Sequence, residues 1–359
     1  MTATPPESVQ KIPAATGVVT LNPLEDSCWD RKIGFFAEAT AFHSAGWARV
    51  LHETYGYTPC FAATPEGGSF GSLLPLMDVS SMLTGHRGVS LPFTDFCDPL
   101  CSPGHGAGPL MEAAVRHAGE KSWRYVEFRT NCGISRSAPA TARHLTHRLE
   151  LEKGEDAIWS SLDGMARRSI RKARDSGVVV STGNDEAAMR EFFRLHCLTR
   201  KRHGVPPQPY AFFSNIRRYL ADEGTATIML ASHRGRTVAA SVFLHFGRRV
   251  IFKFGASNFA FQHLRANNLL MWEAIRRYAA AGMRDLHMGR SESDNAGLRR
   301  YKLAWGTSEE ELTYHRYSPS AGNFISGGNP QQSWRQAAFR RLPLPVLKAI
   351  GSLIYPHMA

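Results

Sequence analysis

Apolar positions along this chain follow two periods, one helical and one alternating, and the two take turns. Trp29 to Tyr55 carries helical spacing in two pieces, broken near Ser44-Ala45-Gly46. Cys60–Ala63 and Gly71–Met77 read as strands around a Pro65-Glu66-Gly67-Gly68 turn, and Gly88–Phe93 as a third. A Gly-rich turn at Gly104–Gly108 leads into a helix over Pro109–Ala118, then strands at Trp123–Arg129 and His144–Leu151. The order then recurs. Helices are predicted over Glu155–Ser176 and Asp185–His203, and strands over Ala226–Ala231, Val238–Phe246 and Val250–Gly255. Next come a helix over Ala266–Ala281 and a strand over Asp285–Gly289, and Glu309–Tyr317 closes the half.

The two halves correspond at an offset of 160: PLMEAAVRHAGEKSWRYVEFR lies over LLMWEAIRRYAAAGMRDLHMG, matching Met111 with Met271 and Arg116 with Arg276. The helix-to-strand distance is the same in both. A duplicated α/β unit accounts for this better than one large sheet. Residues 1–17 read as a polar, proline-containing tail.

Composition adds a bias rather than a class. Hydrophobic residues make up 43% and charged residues 21%, ordinary for a globular protein. The net charge of +12 favours phosphorylated or polyanionic partners. The six cysteines form no CxxC, and no His–Cys group has zinc spacing, so no metal is expected. No stretch approaches the ~20 apolar residues of a membrane helix, and the N-terminus lacks an apolar signal core. The expectation is a protein on the cytoplasmic side.

The chemistry concentrates in the second half. Phe254 and Gly255 end a strand, and a helix opens near Arg265, Asn267 and Asn268. Free N–H groups at such a helix start attract phosphate, which makes these five residues the expected donor-binding group. Past the next strand, Lys302 is placed to neutralise developing negative charge. Asp285, His287, Glu292 and Asp294 are candidates to take a proton from an attacking amine. Arg167, Arg168, Arg171 and Lys172 line one helix face as i,i+4 like-charge pairs, a pattern suited to a phosphate-rich ligand or to a solvated surface. Arg290 joins the polar group after the last strand. Beyond Glu311 no acidic residue occurs, and the basic, amphipathic end of the chain suits either an anionic membrane surface or packing on the body.

In order along the chain, several segments resemble the FemABX-like, or BioF2-like, branch of the GNAT acyltransferase superfamily. They are Gly46-Trp47-Ala48-Arg49-Val50-Leu51, Leu74-Pro75-Leu76, Ser90-Leu91-Pro92-Phe93, Arg168-Ser169-Ile170-Arg171-Lys172-Ala173, Thr199 to Pro206, Phe254-Gly255-Ala256-Ser257, Asn268 to Glu273, and Gly289-Arg290-Ser291 through Lys302 to Gly306. The resemblance implies an α/β (α+β) fold of two tandem GNAT-like domains, each a mixed twisted sheet flanked by helices. These would be residues 18–153 on the acceptor side and 154–320 on the donor side, with a basic segment over 321–359. It implies transfer of an acyl or aminoacyl group, with no bound cofactor, from aminoacyl-tRNA or acyl-CoA as co-substrate. The acceptor would be an amine of a phosphorylated or lipid-linked precursor of peptidoglycan or exopolysaccharide, met on the cytoplasmic side or at the inner membrane. Lys302 matches the family's assisting lysine, and Arg49 is the nearest match to its precursor-contacting residue. The GNAT coenzyme-A signature departs here, since Arg265 stands where its central glycine would be. The alternative is a catalytically degenerate GNAT-like module that binds tRNA or anionic lipid.

Overall fold

A computed structural model describes residues 17–327 and 333–359; the tail expected over 1–17 therefore lies almost wholly outside the described residues. The first half contains β1 (Val19–Leu21), α1 (Trp29–Ile33), α2 (Ala45–Tyr55), β2 (Thr58–Pro59), β3 (Phe61–Glu66), β4 (Ser69–Leu74), β5 (Met77–Val79), β6 (Arg87–Val89), β7 (Leu100–Cys101), α3 (Gly108–Glu120), β8 (Val126–Phe128) and β9 (Ala142–Glu150). The second contains α4 (Glu155–Ser161), α5 (Gly164–Asp175), β10 (Val179–Thr182), α6 (Glu186–His203), α7 (Tyr210–Ile216), β11 (Ala226–His233), β12 (Arg236–Phe246), β13 (Arg249–Ser257), α8 (Ala266–Ala280), β14 (Asp285–Glu292), α9 (Ala296–Leu303) and β15 (Ser308–Ser318). The chain ends with β16 (Asn323–Ile325), α10 (Ser333–Arg341) and α11 (Leu344–Ile354).

The fold is mixed α/β, and the expected repeat is visible in its pairing. In each half two strands pair antiparallel, a helix crosses, and a third strand joins in parallel. These are β5–β6, α3 and β8, and then β12–β13, α8 and β14. The next strand of each half is exchanged. β9 comes after β8 but pairs with β14, and β15 pairs with β9 along its first part and with β8 near its end. The exchange welds both halves into one sheet, ordered β10-β11-β12-β13-β14-β9-β15-β8-β6-β5-β2 with β16 on β15; β1-β3-β4-β7 form a separate sheet. The last strand of the segment 18–153 thus lies inside the second half of the sheet. One apolar cluster likewise spans both halves, bringing Phe42 and Trp47 together with Phe212 and Phe213.

Local signals explain most boundaries. Ser44 caps α2 by accepting from the Trp47 N–H, so the helix breaks at the expected site. Before it only Trp29–Ile33 is α-helical, with a single turn at Ala41–His43. The expected helix over Glu155–Ser176 is two helices, because Leu162 is extended and Asp163 caps a new start. The strand expected over Gly88–Phe93 stops at Val89, since Leu91 and Phe93 take positive φ and turn the chain away. At the other end, α11 lies against the 206–207 segment. A Cβ on Gly351 would stand 2.0 Å from the Pro207 carbonyl, so only glycine lets the helix approach.

Candidate active site

The site forms where β13 and β14 part. They pair in parallel only through Ile251 and His287. Each is irregular just beyond. The register of β13 slips at Lys253, and that of β14 slips between His287 and Arg290, where Gly289 has φ +69°. A bulge ends ladder pairing and redirects side chains. Beyond the parting, β12, the end of β13, the start of α8 and α9 border a cavity of about 560 Å³ lined by Gly255, Phe252, Ser241, Arg202, His203 and Tyr301. Gly255, Arg265, Asn267 and Asn268 line it. Phe254 does not. The bulge at Lys253 turns its ring to the opposite face, against Phe212 and Phe213 at 6.1 and 5.3 Å.

At the N-terminus of α8 no side chain caps the first turn, which leaves backbone N–H groups for a ligand. Arg265 sits there with φ +56° and ψ +28°. This is the left-handed conformation that glycine adopts without strain, so the backbone keeps the glycine-type turn while the residue adds a charged side chain to the cavity wall.

Lys302 is buried on α9, and its Nζ donates to the carbonyls of Gly289 and Arg290, both at 2.9 Å. These are carbonyls at the β14 bulge. Two of its three N–H bonds are thus committed and one remains. Burial draws its ammonium down from the usual lysine range to about 8, against the pull of the nearby Asp95 carboxylate.

Asp95 enters from the first half. It lies in the loop after β6, and the Lys253 ammonium donates to it at 3.0 Å across 158 residues of sequence. Burial alone would raise its carboxyl, but Lys253 and then Arg290 carry it down to about 2. Tyr314 of β15 donates to the Asp95 carbonyl at 2.5 Å and accepts from Arg290 at 2.8 Å. His144 of β9 stands 3.4 Å from Arg290 and 3.0 Å from Glu292. Arg290 therefore belongs to this cluster, and Asp95, Lys253 and Tyr314 join it without having been expected. Lys253 had a signal, a lone charge between Phe252 and Phe254 in an apolar strand. Asp95 had none, because only the fold brings its loop here.

His287 adjoins this cluster, and the remaining expected positions lie elsewhere. His287 packs on Phe96, 4.2 Å between rings, and its Nδ1 accepts from the Gly289 N–H at 3.0 Å. Burial lowers its pKa to about 3, so the ring is neutral. A neutral ring that accepts at Nδ1 carries its proton on Nε2 and offers no lone pair to an amine. Asp285 stands at the far end of β14, held by Arg249 at 3.3 Å and Arg284 at 3.2 Å, and is a structural ion-pair residue rather than a partner of Lys302. Arg49 is exposed on α2 with its guanidinium 5.7 Å from the Tyr219 ring centre. Arg168, Arg171 and Lys172 are exposed on α5, with Arg171 over Trp159 at 5.9 Å, and Arg167 is half-buried; none reaches Lys302.

The acetyltransferase (GNAT) domain family matches residues 160–303, a span that contains the cavity, the α8 turn and Lys302. Over 112 residues, 30% of this chain, the sequence is 27% identical to the UDP-N-acetylmuramoylpentapeptide-lysine N(6)-alanyltransferase of Weissella viridescens, and the match spans about a third of that protein, 33%. The crystal structure of FemX superposes with a TM-score of 0.63 at 13% identity, covering 82% of this chain and 96% of that one. The L-PGS structure from Bacillus licheniformis superposes with a TM-score of 0.54 at 12% identity, covering 94% and 98%. These structural likenesses establish a shared fold. The duplicated α/β units and the parted strands give the chain a tandem GNAT-like fold. The sequence matches beside them are partial: the acetyltransferase (GNAT) domain family over residues 160–303, and the alanyltransferase over about a third of its length.

Proposed function

We propose that this chain is a FemAB-type N-acyltransferase that carries an aminoacyl group from aminoacyl-tRNA to an amine of a phosphorylated or lipid-linked peptidoglycan precursor. The observation that carries the reading is the opening between β13 and β14, with an uncapped helix start on one side and buried Lys302 on the other. The donor ester would enter the cavity, its phosphates near the α8 start and the Arg202 and Arg265 side chains. Arg265 favours tRNA over acyl-CoA, because it occupies the turn where a coenzyme-A diphosphate needs close backbone approach. The alanyltransferase similarity supports a precursor of peptidoglycan over exopolysaccharide as acceptor.

The acceptor amine attacks the donor carbonyl, the C–N bond forms, and the C–O bond to the ribose breaks as the amine proton passes to the leaving oxygen. No covalent intermediate with the protein is required. Lys302 lends its remaining N–H and its charge to the oxygen that becomes negative. In this reading the Asp95 carboxylate orients the incoming amine, and proximity supplies much of the remaining rate.

Mass spectrometry of a UDP-linked muropeptide incubated with charged tRNA, and separately with acetyl-CoA, tests the reading. The expected product gains one aminoacyl residue, from charged tRNA alone. Lys302→Ala should lower kcat by about 100-fold or more while KM changes little. Binding of tRNA with no transfer to any amine would replace the enzyme with the binding module.

A further inference from the structure

The chain end raised two readings, membrane contact or packing on the body, and the two faces of α11 take one each. Leu347 and Gly351 are buried against the body. The opposite stripe, at i, i+3, i+4 and i+7, is Val346, Ala349, Ile350 and Leu353, and it too is apolar. Val346 and Leu353 stand 43% and 71% exposed. A helix apolar on both faces and covered on one has an unfilled face.

A second exposed element adjoins it. The turn between β5 and β6 presents Met82, fully exposed, and Leu83, 73% exposed. This turn is pinned to the segment after α11. Ser81 pairs with the His357 ring at 2.9 Å, Thr84 donates to the His357 carbonyl at 3.1 Å, and buried Arg87 donates to the same carbonyl at 3.0 Å. Met358, also exposed, lies beside that junction. Two stretches 270 residues apart are thus tied together, with exposed Met82 and Leu83 on one and exposed Met358 on the other.

The charge on the helices beside it is positive. Arg340, Arg341 and Lys348 are exposed on α10 and α11, and the α6 end that these helices contact carries Arg200, Lys201, Arg202 and His203. No acidic residue occurs after Glu311. Among the described residues no helix is long and apolar enough to cross a membrane. We propose that the α11 outer face and the Met82–Leu83 turn together form a docking surface for an anionic lipid bilayer, entered shallowly by the apolar side chains and held by the basic rim. A protein partner would need complementary shape; a fully exposed, protruding methionine and leucine flanked by cations suits the acyl–headgroup boundary better. The proposal is independent of the transfer chemistry.

Vesicle flotation with the full chain tests it, using phosphatidylcholine vesicles with and without phosphatidylglycerol. Wild type should float with the anionic vesicles at least about fivefold more than with the neutral ones. The double substitution Met82→Ser, Leu353→Ser should lower flotation about tenfold with an unchanged melting temperature, since both side chains are exposed. Arg340→Glu with Arg341→Glu should do the same and abolish the lipid preference. Absence of wild-type flotation, equal flotation with neutral vesicles, or full flotation of the serine variant would overturn the proposal. So would a dimer in size-exclusion chromatography that Leu353→Ser dissociates, which would assign the face to a second copy.

Discussion

The two halves of this protein share a strand–helix–strand unit, yet only one of them holds an opening. In both, the parallel pair is short: Gly88 and Val89 face Val126 and Glu127 in the first half, and Arg249–Ile251 face Asp285–His287 in the second. Beyond the pair the two halves diverge. In the first half the chain turns back across the gap at Leu91 and Phe93, and Arg129 stitches it down. The Arg129 guanidinium donates to the Leu91 carbonyl at 3.1 Å, the Thr94 carbonyl at 3.2 Å and the Glu127 carboxylate at 2.8 Å. The Cys97 N–H returns a bond to the Arg129 carbonyl at 2.9 Å. In the second half β13 runs on to Ser257 with its bulge at Lys253, and the gap remains a cavity. The closed half is not idle. The loop that fills its gap is the loop that delivers Asp95 to Lys253 in the open half. Duplication gave two equivalent clefts, and filling one supplied a side chain to the other.

The hardest way to break this comparison is to unstitch the closed half. Arg129 is nearly buried beside Glu127, so Arg129→Ala leaves a buried carboxylate with one cation in place of two and takes a donor from the Thr94 carbonyl. The expected cost is about 3 kcal/mol in chemical denaturation. Transfer activity should fall more steeply than the folded fraction, because Asp95 loses its anchor. Arg316→Ala is the control. It removes the other Glu127 partner, 2.8 Å away and more exposed, without touching the loop, and should cost about 1 kcal/mol with normal turnover. Equal effects of the two substitutions on activity would mean that the loop does not serve the open half.

A second test reads charge. The Lys302 ammonium titrates at about 8. Its charged form prevails below that pH and is lost above it, so a rate that needs the cation falls as pH rises through 8. An acceptor amine gains reactivity over the same range, which hides the fall in a single profile. Lys302→Arg stays charged throughout. The ratio of variant to wild-type kcat should therefore climb about tenfold per pH unit above 8 and be flat below it. A flat ratio from pH 7 to 10 would remove the cationic role from Lys302.

Periodicity revealed the units but not their assembly. The α3 and α6 boundaries and the start of α8 were legible because capping residues, glycine turns and apolar stripes are local signals. The repeat was legible because α3–β8 and α8–β14 kept their spacing. The exchange of β9 and β15 was not, because strand partners more than a hundred residues apart leave no mark in local alternation. Gly255, Arg265 and Lys302 could be picked out as ends of elements. Phe254 was misplaced because a bulge reverses the side-chain alternation that sequence reading assumes, and Asp95 was missed because its role depends on a loop from the other half.

The gentlest test closes the open half by its own wall. Gly255 has ordinary backbone angles, so a side chain there adds no backbone strain. Its Cβ would meet the tip of the Phe252 ring at 2.7 Å, and that ring lines the cavity. Gly255→Val should therefore push Phe252 into the space where we propose the donor binds, at a stability cost of about 1 kcal/mol. Such a change removes donor binding without touching Lys302, Asp95 or Tyr314. The expected signature is a donor KM raised about tenfold, kcat nearly unchanged and acceptor KM unchanged. If kcat fell while donor KM stayed put, the cavity would not be the donor's path, and the open half would differ from the closed one in shape alone.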